Sequence, residues 1–424
     1  MIGATGQSEL SAPKGAAFRF AIWMLTVAVV AAAALLLTRR ERADSNRGVT
    51  VFSATQRGIP IVIPRVPLEQ ERRAAEMLRA TFAKASGQAA SEFPIVVANG
   101  PMPRRAVFLG RIRGAVDFLG TPRPPPRDSA VGYLVRGGVL QIRSERRESA
   151  EAAAGWFLER ELGAYWFMPG PLGEHVPSRN ELVLPAQRQV AQPGFLHRDL
   201  GIPGDAARIW YAQNRLETRF EHSHNLVNIF KPEDFRRTPE MAPMRQGQRY
   251  FPPSGNYYWQ PNLLSEAAAQ HAAAAARAAF EVDARRLSFS LSTNDGYRYD
   301  DSAETLAAVS PPRFFRHRPD YSAPVFQFTN RVAQIVARTH PDRYLPAYAY
   351  YWCENTPGFP IERNVVPFLT ADRTQWSHSS FAAEDRALIE RWCRSGAEFV
   401  GVYDYFYGVP FFAPRPTLFT VAET

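Results

Sequence analysis

The sequence predicts an α/β protein: a small N-terminal α+β domain followed by a (β/α)8 TIM-like barrel that is truncated at its C-terminus. Three observations carry that expectation. Strand-like and helix-like stretches alternate from residue 190 onward, as βα repeats do. One of them, Leu287 to Ser292, alternates Leu287, Phe289 and Leu291 with serines and stops at the turn residues Thr293-Asn294-Asp295-Gly296. The chain of 424 residues is also too long for one ordinary core. In a barrel the carboxyl end of a strand is where chemistry is placed, and Asp295 stands there. The same tetrapeptide is also ordinary turn chemistry, with side chains that cap backbone.

Composition narrows the function. Hydrophobic residues make up 46% of the chain, enough for packed globular domains. Lys and Arg total 50 against 41 Asp and Glu, a net charge of +9. The excess is scattered arginine without a long basic block, so it reads as a solvated surface and not as a nucleic-acid face. Cys353 and Cys393 are the only cysteines, without Cys/His ligand spacing, so no structural zinc is expected. Two buried free thiols are the simpler reading, and a disulfide is the alternative. No phosphate-cradling loop, dinucleotide fingerprint or serine nucleophile elbow occurs, and no cofactor is expected.

Residues 1–19 are polar and small, as in a disordered terminus. Phe20 to Thr38 is an uncharged apolar run, and about 20 such residues span a bilayer as a helix. A signal peptide would have a shorter apolar core followed by a small-residue cleavage site; here Arg39, Arg40 and Arg42 follow, so a transmembrane anchor is expected. Those arginines favour a cytoplasmic C-terminal side. Residues 39–57 read as a linker. From residue 58 a small domain begins. Ile59 to Ile63 is a short strand, and Leu68 to Ser86 has helical spacing closed by Gly87. Phe93 to Ala98 and Ala106 to Leu109 are strands. Val131 to Val135 and Val139 to Ile142 form a hairpin about Gly137-Gly138, and Ser149 to Leu162 is a helix ended by Gly163.

The end of this domain carries the string Trp156 to Gly170, WFLERELGAYWFMPG, then Gly173-Glu174-His175-Val176-Pro177 and Leu182-Val183-Leu184-Pro185. A helix with FLE-x-x-LG, an aromatic pair, PG and then GE-x-VP resembles the small domain in front of the barrel in α-glucuronidases of glycoside hydrolase family 67. Hexosaminidase-type enzymes and the domain-of-unknown-function 4838 family share that arrangement. The resemblance covers residues 58–186, and the order of elements matches as well. It implies a barrel over residues 190–424 acting on a polysaccharide outside the cytoplasm, which sets it against the flanking arginines. We expect export, because polysaccharides lie there.

The remaining chain fits the unknown-function family best. Phe195 to Leu200 is a first barrel strand ending at His197, Arg198 and Asp199, followed by a helix over Ala206 to Glu217. Phe220 onward is the second strand, with His222 and His224. Tyr257 to Gln260 is the third, then an alanine-rich helix over Leu263 to Val282, and Leu287 to Ser292 is the fourth. A helix over Val325 to Thr339 leads to Leu345 to Tyr351, the fifth strand. Val365 to Thr370 is the sixth, Phe381 to Arg394 a helix, and Phe399 to Tyr403 the seventh. Phe411 to Thr420 offers at best a poor eighth strand.

Glycoside hydrolysis commonly uses two carboxyl groups across the scissile bond. The resemblance places candidates at strand ends: Asp295, Asp404 and Glu354 as catalytic carboxyls, with Asp372, Asp199 and Glu221 behind them. Asn294-Asp295 resembles the Asn-Glu pair of many barrel glycosidases, with an acid one methylene shorter. His222 and His224 share one face of a strand. They suit contacts to substrate hydroxyls or a carboxylate; a metal pair would need further ligands that spacing does not supply. Trp352, Trp376, Tyr350, Tyr403 and Tyr407 offer faces for sugar rings or ordinary packing. Arg198, Arg298 and Arg373 suit an acidic sugar, since guanidinium pairs carboxylate bidentately. The expected function is hydrolysis of a polysaccharide, with uronic acid among its sugars. The alternative is a non-catalytic glycan-binding or envelope-assembly protein on the same scaffold.

Overall fold

The computed structural model describes residues 46–405, apart from 114 and 203. The expected disordered start, the apolar run Phe20 to Thr38 and the eighth-strand candidate all lie outside these residues. Among the described residues no helix is long and apolar enough to cross a membrane. They divide into two compact units: residues 46–196 with Leu200–Glu217, and His197–Asp199 with residues 218–405.

The first unit is built on a six-stranded mixed sheet. Its strands run in the order Gln187–Ala191, Val131–Arg136, Val139–Ser144, Ala106–Leu109, Ile61–Ile63, Ile95–Val97. The first two junctions are antiparallel and the rest parallel. Helix Glu69–Ser86 starts where buried Glu71 accepts the Leu68 N–H at 2.8 Å and ends at Gly87, which takes the left-handed φ of 69°. Its buried Phe82 meets Phe52, Phe93 and Phe157 in edge-on and tilted ring contacts.

Two expectations change here. Within the expected linker, Val49–Phe52 is a strand, antiparallel to Leu182–Leu184, because Val49, Val51 and Phe52 bury in this core. The helix expected to open the barrel is Asp205–Gln213, and it belongs to the first unit. Trp210 Nε1 and Asn214 Nδ2 both donate to the Trp166 carbonyl, at 2.7 and 3.0 Å, which holds it there.

The second unit is mixed α/β. Strands Leu345–Ala349, Val365–Ala371 and Gly401–Asp404 form a parallel sheet in that order. The Ser288–Ser292 segment continues it. Tyr344 N donates to Leu287 O, Phe289 N to Tyr344 O and Leu291 N to Pro346 O, at 3.0, 3.1 and 2.7 Å. On its other side lies Glu221–Asn225, parallel through the His224 to Ser292 bridge. Serine hydroxyls replace part of that ladder: Glu221 N donates to Ser288 Oγ at 2.7 Å, and Ser223 N to Ser290 Oγ at 3.2 Å. The serine face of the strand is therefore buried against neighbouring backbone, while Phe289 and Leu291 join the apolar core.

That core includes helices Glu266–Val282, Ser322–Ala337 and Ser379–Cys393. Buried Ala268, Ala269, Ala272, Ala273 and Ala276 line one face of the first of these, and small side chains allow close packing. Neither Phe195 to Leu200 nor Tyr257 to Gln260 is a regular strand, and no closed barrel forms among the described residues. Cys353 is buried and Cys393 exposed; both are free. Burial pushes the Cys353 thiol up to about 11.

Candidate functional site

Alternation along the parallel strands sorts the side chains. Leu345, Ala347 and Ala349 join the core that includes the helices. Tyr344 and Tyr348 point the other way and pack with Phe220, Val366 and Phe368. Toward the carboxyl ends this second face becomes polar. His222 lies 4.7 Å from the Phe368 ring and 5.7 Å from the Tyr403 ring, and its Nδ1 is 3.3 Å from the Tyr348 hydroxyl. His224 lies 5.0 Å from the Tyr348 ring and 5.9 Å from that of Tyr350. His197 completes the group, edge-on to His222 at 5.1 Å.

Two imidazoles of the cluster, His197 and His222, are held neutral at pH 7. Burial and the neighbouring His222 push the His197 imidazole down to about 4, Arg198 acting in the same direction. Burial lowers His222 as well. The Tyr348 and Tyr350 hydroxyls are raised above the ordinary phenol range, chiefly by burial. The site thus offers neutral donors and acceptors beside aromatic faces.

Asp295 stands at its rim. Its side chain is 67% exposed, and Oδ1 is 3.9 Å from His224 Nε2. His224 Nδ1 donates to the Thr293 carbonyl at 2.6 Å, so its proton is on that side and Nε2 faces Asp295. The adjacent Asn294 has a different task. It is buried, its Oδ1 accepts from Val227 N at 2.6 Å, and its Nδ2 donates to Trp259 O at 2.8 Å. These backbone bonds make it a clamp between loops. Gly296 is needed for close approach, since a Cβ there would come within 2.7 Å of Tyr258 Cα.

Several expected site residues gather elsewhere. Buried Glu354 pairs with Arg316, which also reaches Asp385 at 2.9 Å. Asp385 is fully buried and takes the Arg373 guanidinium at 2.9 Å and Trp376 Nε1 at 3.1 Å. Glu354, Arg373 and Trp376 thus belong to an enclosed charge network anchored on helix Ser379–Cys393. Burial, partly offset by Arg316, lifts the Glu354 carboxyl to about 7.

Asp404 follows Tyr403 and so faces the other way from that ring. Its Oδ1 accepts from Arg373 N at 3.1 Å and Tyr405 N at 2.8 Å, while burial raises its pKa. Trp352 lies between Tyr297, at 5.8 Å, and Tyr321, at 5.8 Å. Arg298 is exposed, and its carbonyl accepts from Gln260 N.

The expected set therefore divides. His222, His224, Tyr403 and Asp295 come together, with Arg198 close enough to influence His197. Asn294, Glu354, Arg373, Trp376 and Asp404 have structural partners of their own. His197 and Tyr348 were not singled out as site residues from sequence. The alternation of Tyr344, Tyr348 and Tyr350 with Leu345, Ala347 and Ala349 was the available signal for the tyrosines. The ligand atoms of His197, Asp199 and His222 lie within 4.8 Å of one another, a size that could hold a metal ion.

A family model described as a domain of unknown function, DUF4838, matches residues 168–423. The chain belongs to this family. No curated protein matches it. Among solved structures, a mutant Streptomyces plicatus β-hexosaminidase with GlcNAc product shares 11% identity at a TM-score of 0.39, over 85% of this chain and 72% of that one. A family GH115 4-O-methyl-α-glucuronidase with specificity for decorated arabinogalactans shares 10% identity at 0.43, over 77% of this chain and 46% of that one. The Streptomyces coelicolor GH20 β-N-acetylhexosaminidase gives 0.39 at 10% identity, over 85% and 73%. Likenesses this distant fix neither substrate nor chemistry.

Proposed function

We propose that this DUF4838 protein is carbohydrate-active and holds a saccharide at the carboxyl ends of its parallel strands. The observation that carries the reading is the cluster of His197, His222, His224, Tyr348 and Tyr403 with Asp295 at its rim. Uncharged imidazoles and phenols exchange hydrogen bonds with hydroxyls, and aromatic faces suit the apolar faces of sugars. The resemblance of residues 58–186 to the small domain of α-glucuronidases supports the same ligand class.

Hydrolysis is the second reading, favoured by the approach of Asp295 to His224. The expected partnership of Asp295 with Asp404 is not part of it as first drawn. Two carboxyls must flank one bond at about 5–10 Å, and Asp404 is pinned by backbone on the strand face opposite Tyr403. Binding and turnover on a panel of neutral and uronic-acid oligosaccharides separate the readings. Cleavage abolished in Asp295→Asn with binding kept would establish a glycosidase. Binding without cleavage would leave a recognition protein, and neither would sink the saccharide reading.

The apolar run Phe20 to Thr38 supports membrane anchoring, and a polysaccharide ligand supports placing the folded units outside the cytoplasm. A C-terminal fusion reporter active only in the cytoplasm would overturn that placement.

A further inference from the structure

We propose that His197 and Asp199 form a subsite for neighbouring sugar hydroxyls, with His197 donating through Nε2–H and Asp199 accepting, and that this cluster does not take a transition metal. For its ligand the inference rests on the saccharide reading above; for its proton placement it does not.

The backbone decides the tautomer. Arg219 N and Phe220 N each donate to His197 Nδ1 at 3.1 Å. Two N–H groups aimed at one ring nitrogen require a lone pair there. A neutral imidazole has one donor and one acceptor, so the proton sits on Nε2. The ring stays neutral at pH 7, since burial and His222 hold it near 4.

A metal-bound histidine is built the other way round. Its ligating nitrogen offers a lone pair, and the remote nitrogen donates to a carbonyl, carboxylate or water. At His197 the remote nitrogen accepts. Metal on Nε2 would require breaking two backbone hydrogen bonds or removing a second ring proton. The 4.8 Å cage is therefore the right size with the wrong protonation.

What remains is a donor beside an acceptor. Thr218 Oγ1 donates to Asp199 Oδ2 at 3.2 Å and orients it, and a carboxylate has capacity for further donors. His197 and Asp199 are both half-buried, so a ligand can reach them. His197 is held against Phe220, with ring centroids 6.3 Å apart, and Phe368, at 5.5 Å. A rigid donor next to a carboxylate matches the O–H pattern of adjacent ring hydroxyls.

Nitrogen-15 NMR of the imidazoles at pH 7, on the full chain, reads the tautomer without any ligand. The expected result is a pyridine-like Nδ1 and a protonated Nε2 for His197. Zinc titration should show no equivalent bound at this cluster. With the oligosaccharide panel, His197→Asn keeps an acceptor for the two backbone donors and loses the Nε2–H. It should weaken binding about 3–10-fold, the value of one hydrogen bond, at an unchanged melting temperature. His197→Gln keeps a donor at the Nε2 position and leaves the backbone donors unpaired, so it should lower the melting temperature. A protonated Nδ1, or one equivalent of zinc lost in His197→Asn, would overturn the inference and leave the saccharide reading intact. So would wild-type affinity in His197→Asn. Failure of the wild type to bind any panel saccharide would overturn both.

Discussion

Two polar clusters lie near the carboxyl ends of the strands in the second unit, and they solve opposite problems. Around His222 the groups are imidazoles and phenols, half-open, and the nearby carboxylate of Asp295 is mostly in water. Around Asp385 the groups are charged and sealed, and the bridging carboxylate meets two guanidinia and an indole N–H. Residue types alone make the second cluster the better active-site candidate, because it is rich in acid, arginine and tryptophan. Burial reverses the ranking. Buried charges that are mutually paired hold a fold together, whereas a ligand needs polar groups it can reach.

The largest expected effect follows from that contrast. Asp385→Ala removes the bridge between Arg316 and Arg373 and leaves buried cations short of a partner. Breaking such a pair costs about 3–5 kcal/mol. Urea unfolding should show a loss of that order. Saccharide affinity of the folded fraction should be unchanged at low temperature. A loss of affinity without a loss of stability would mean that the network is a binding site after all, and the comparison would fail.

A smaller effect is expected at Ser290. Its fully buried hydroxyl accepts from Ser223 N at 3.2 Å and donates to Ser223 O at 2.8 Å. Ser290→Ala strands both backbone groups, at about 1–3 kcal/mol. Because the Glu221–Asn225 segment carries His222 and His224, the loss should also loosen the cluster and weaken saccharide binding. Unchanged urea midpoints would show that the hydroxyl ladder does not hold this junction.

The sequence foretold much of this architecture, and the misses have physical causes. The period-2 pattern of Leu287 to Ser292 located an extended segment held by bridges and backbone hydrogen bonds beside Leu345–Ala349, and helix spacing located Glu69–Ser86 and Ser379–Cys393 within a few residues. The same pattern gave the segment two unlike faces without saying what covers the serine one. A buried serine and an exposed one look alike until the neighbouring backbone is placed. Asn294 shows the same limit: a turn asparagine beside an acid suits either a ligand contact or a backbone cap, and here Val227 N and Trp259 O take its side chain. Glu354 lies far along the chain from Asp385 and Arg316, and no local pattern ties Arg373 or Trp376 to a shared salt bridge. His197 was placed at a strand end, but its role depends on two backbone donors from Arg219 and Phe220, which no spacing reveals.

The smallest effect sets the two clusters directly against each other, because acid acts on them with opposite signs. Unfolded His197 takes up its proton near 6.5 and the folded group near 4. Between those values the unfolded state binds more protons, so stability falls as pH falls, by at most about 1.4 kcal/mol per unit. His222 acts in the same direction. Glu354 behaves conversely: the folded carboxyl takes up its proton near 7 and the unfolded one near 4.5. Its contribution is present in full below the lower value and is lost as pH rises through the upper one. From pH 4.5 to 6.5 the two therefore oppose each other, and wild-type stability should change little on their account. Glu354→Gln removes one side of the balance, so its urea midpoint should fall more steeply than the wild type's on acidification. His197→Asn removes the other side and should flatten or reverse the slope. Parallel pH profiles for the three proteins would show that neither group titrates as its burial dictates, and the division into a neutral cluster and a sealed charged one would lose its electrostatic basis.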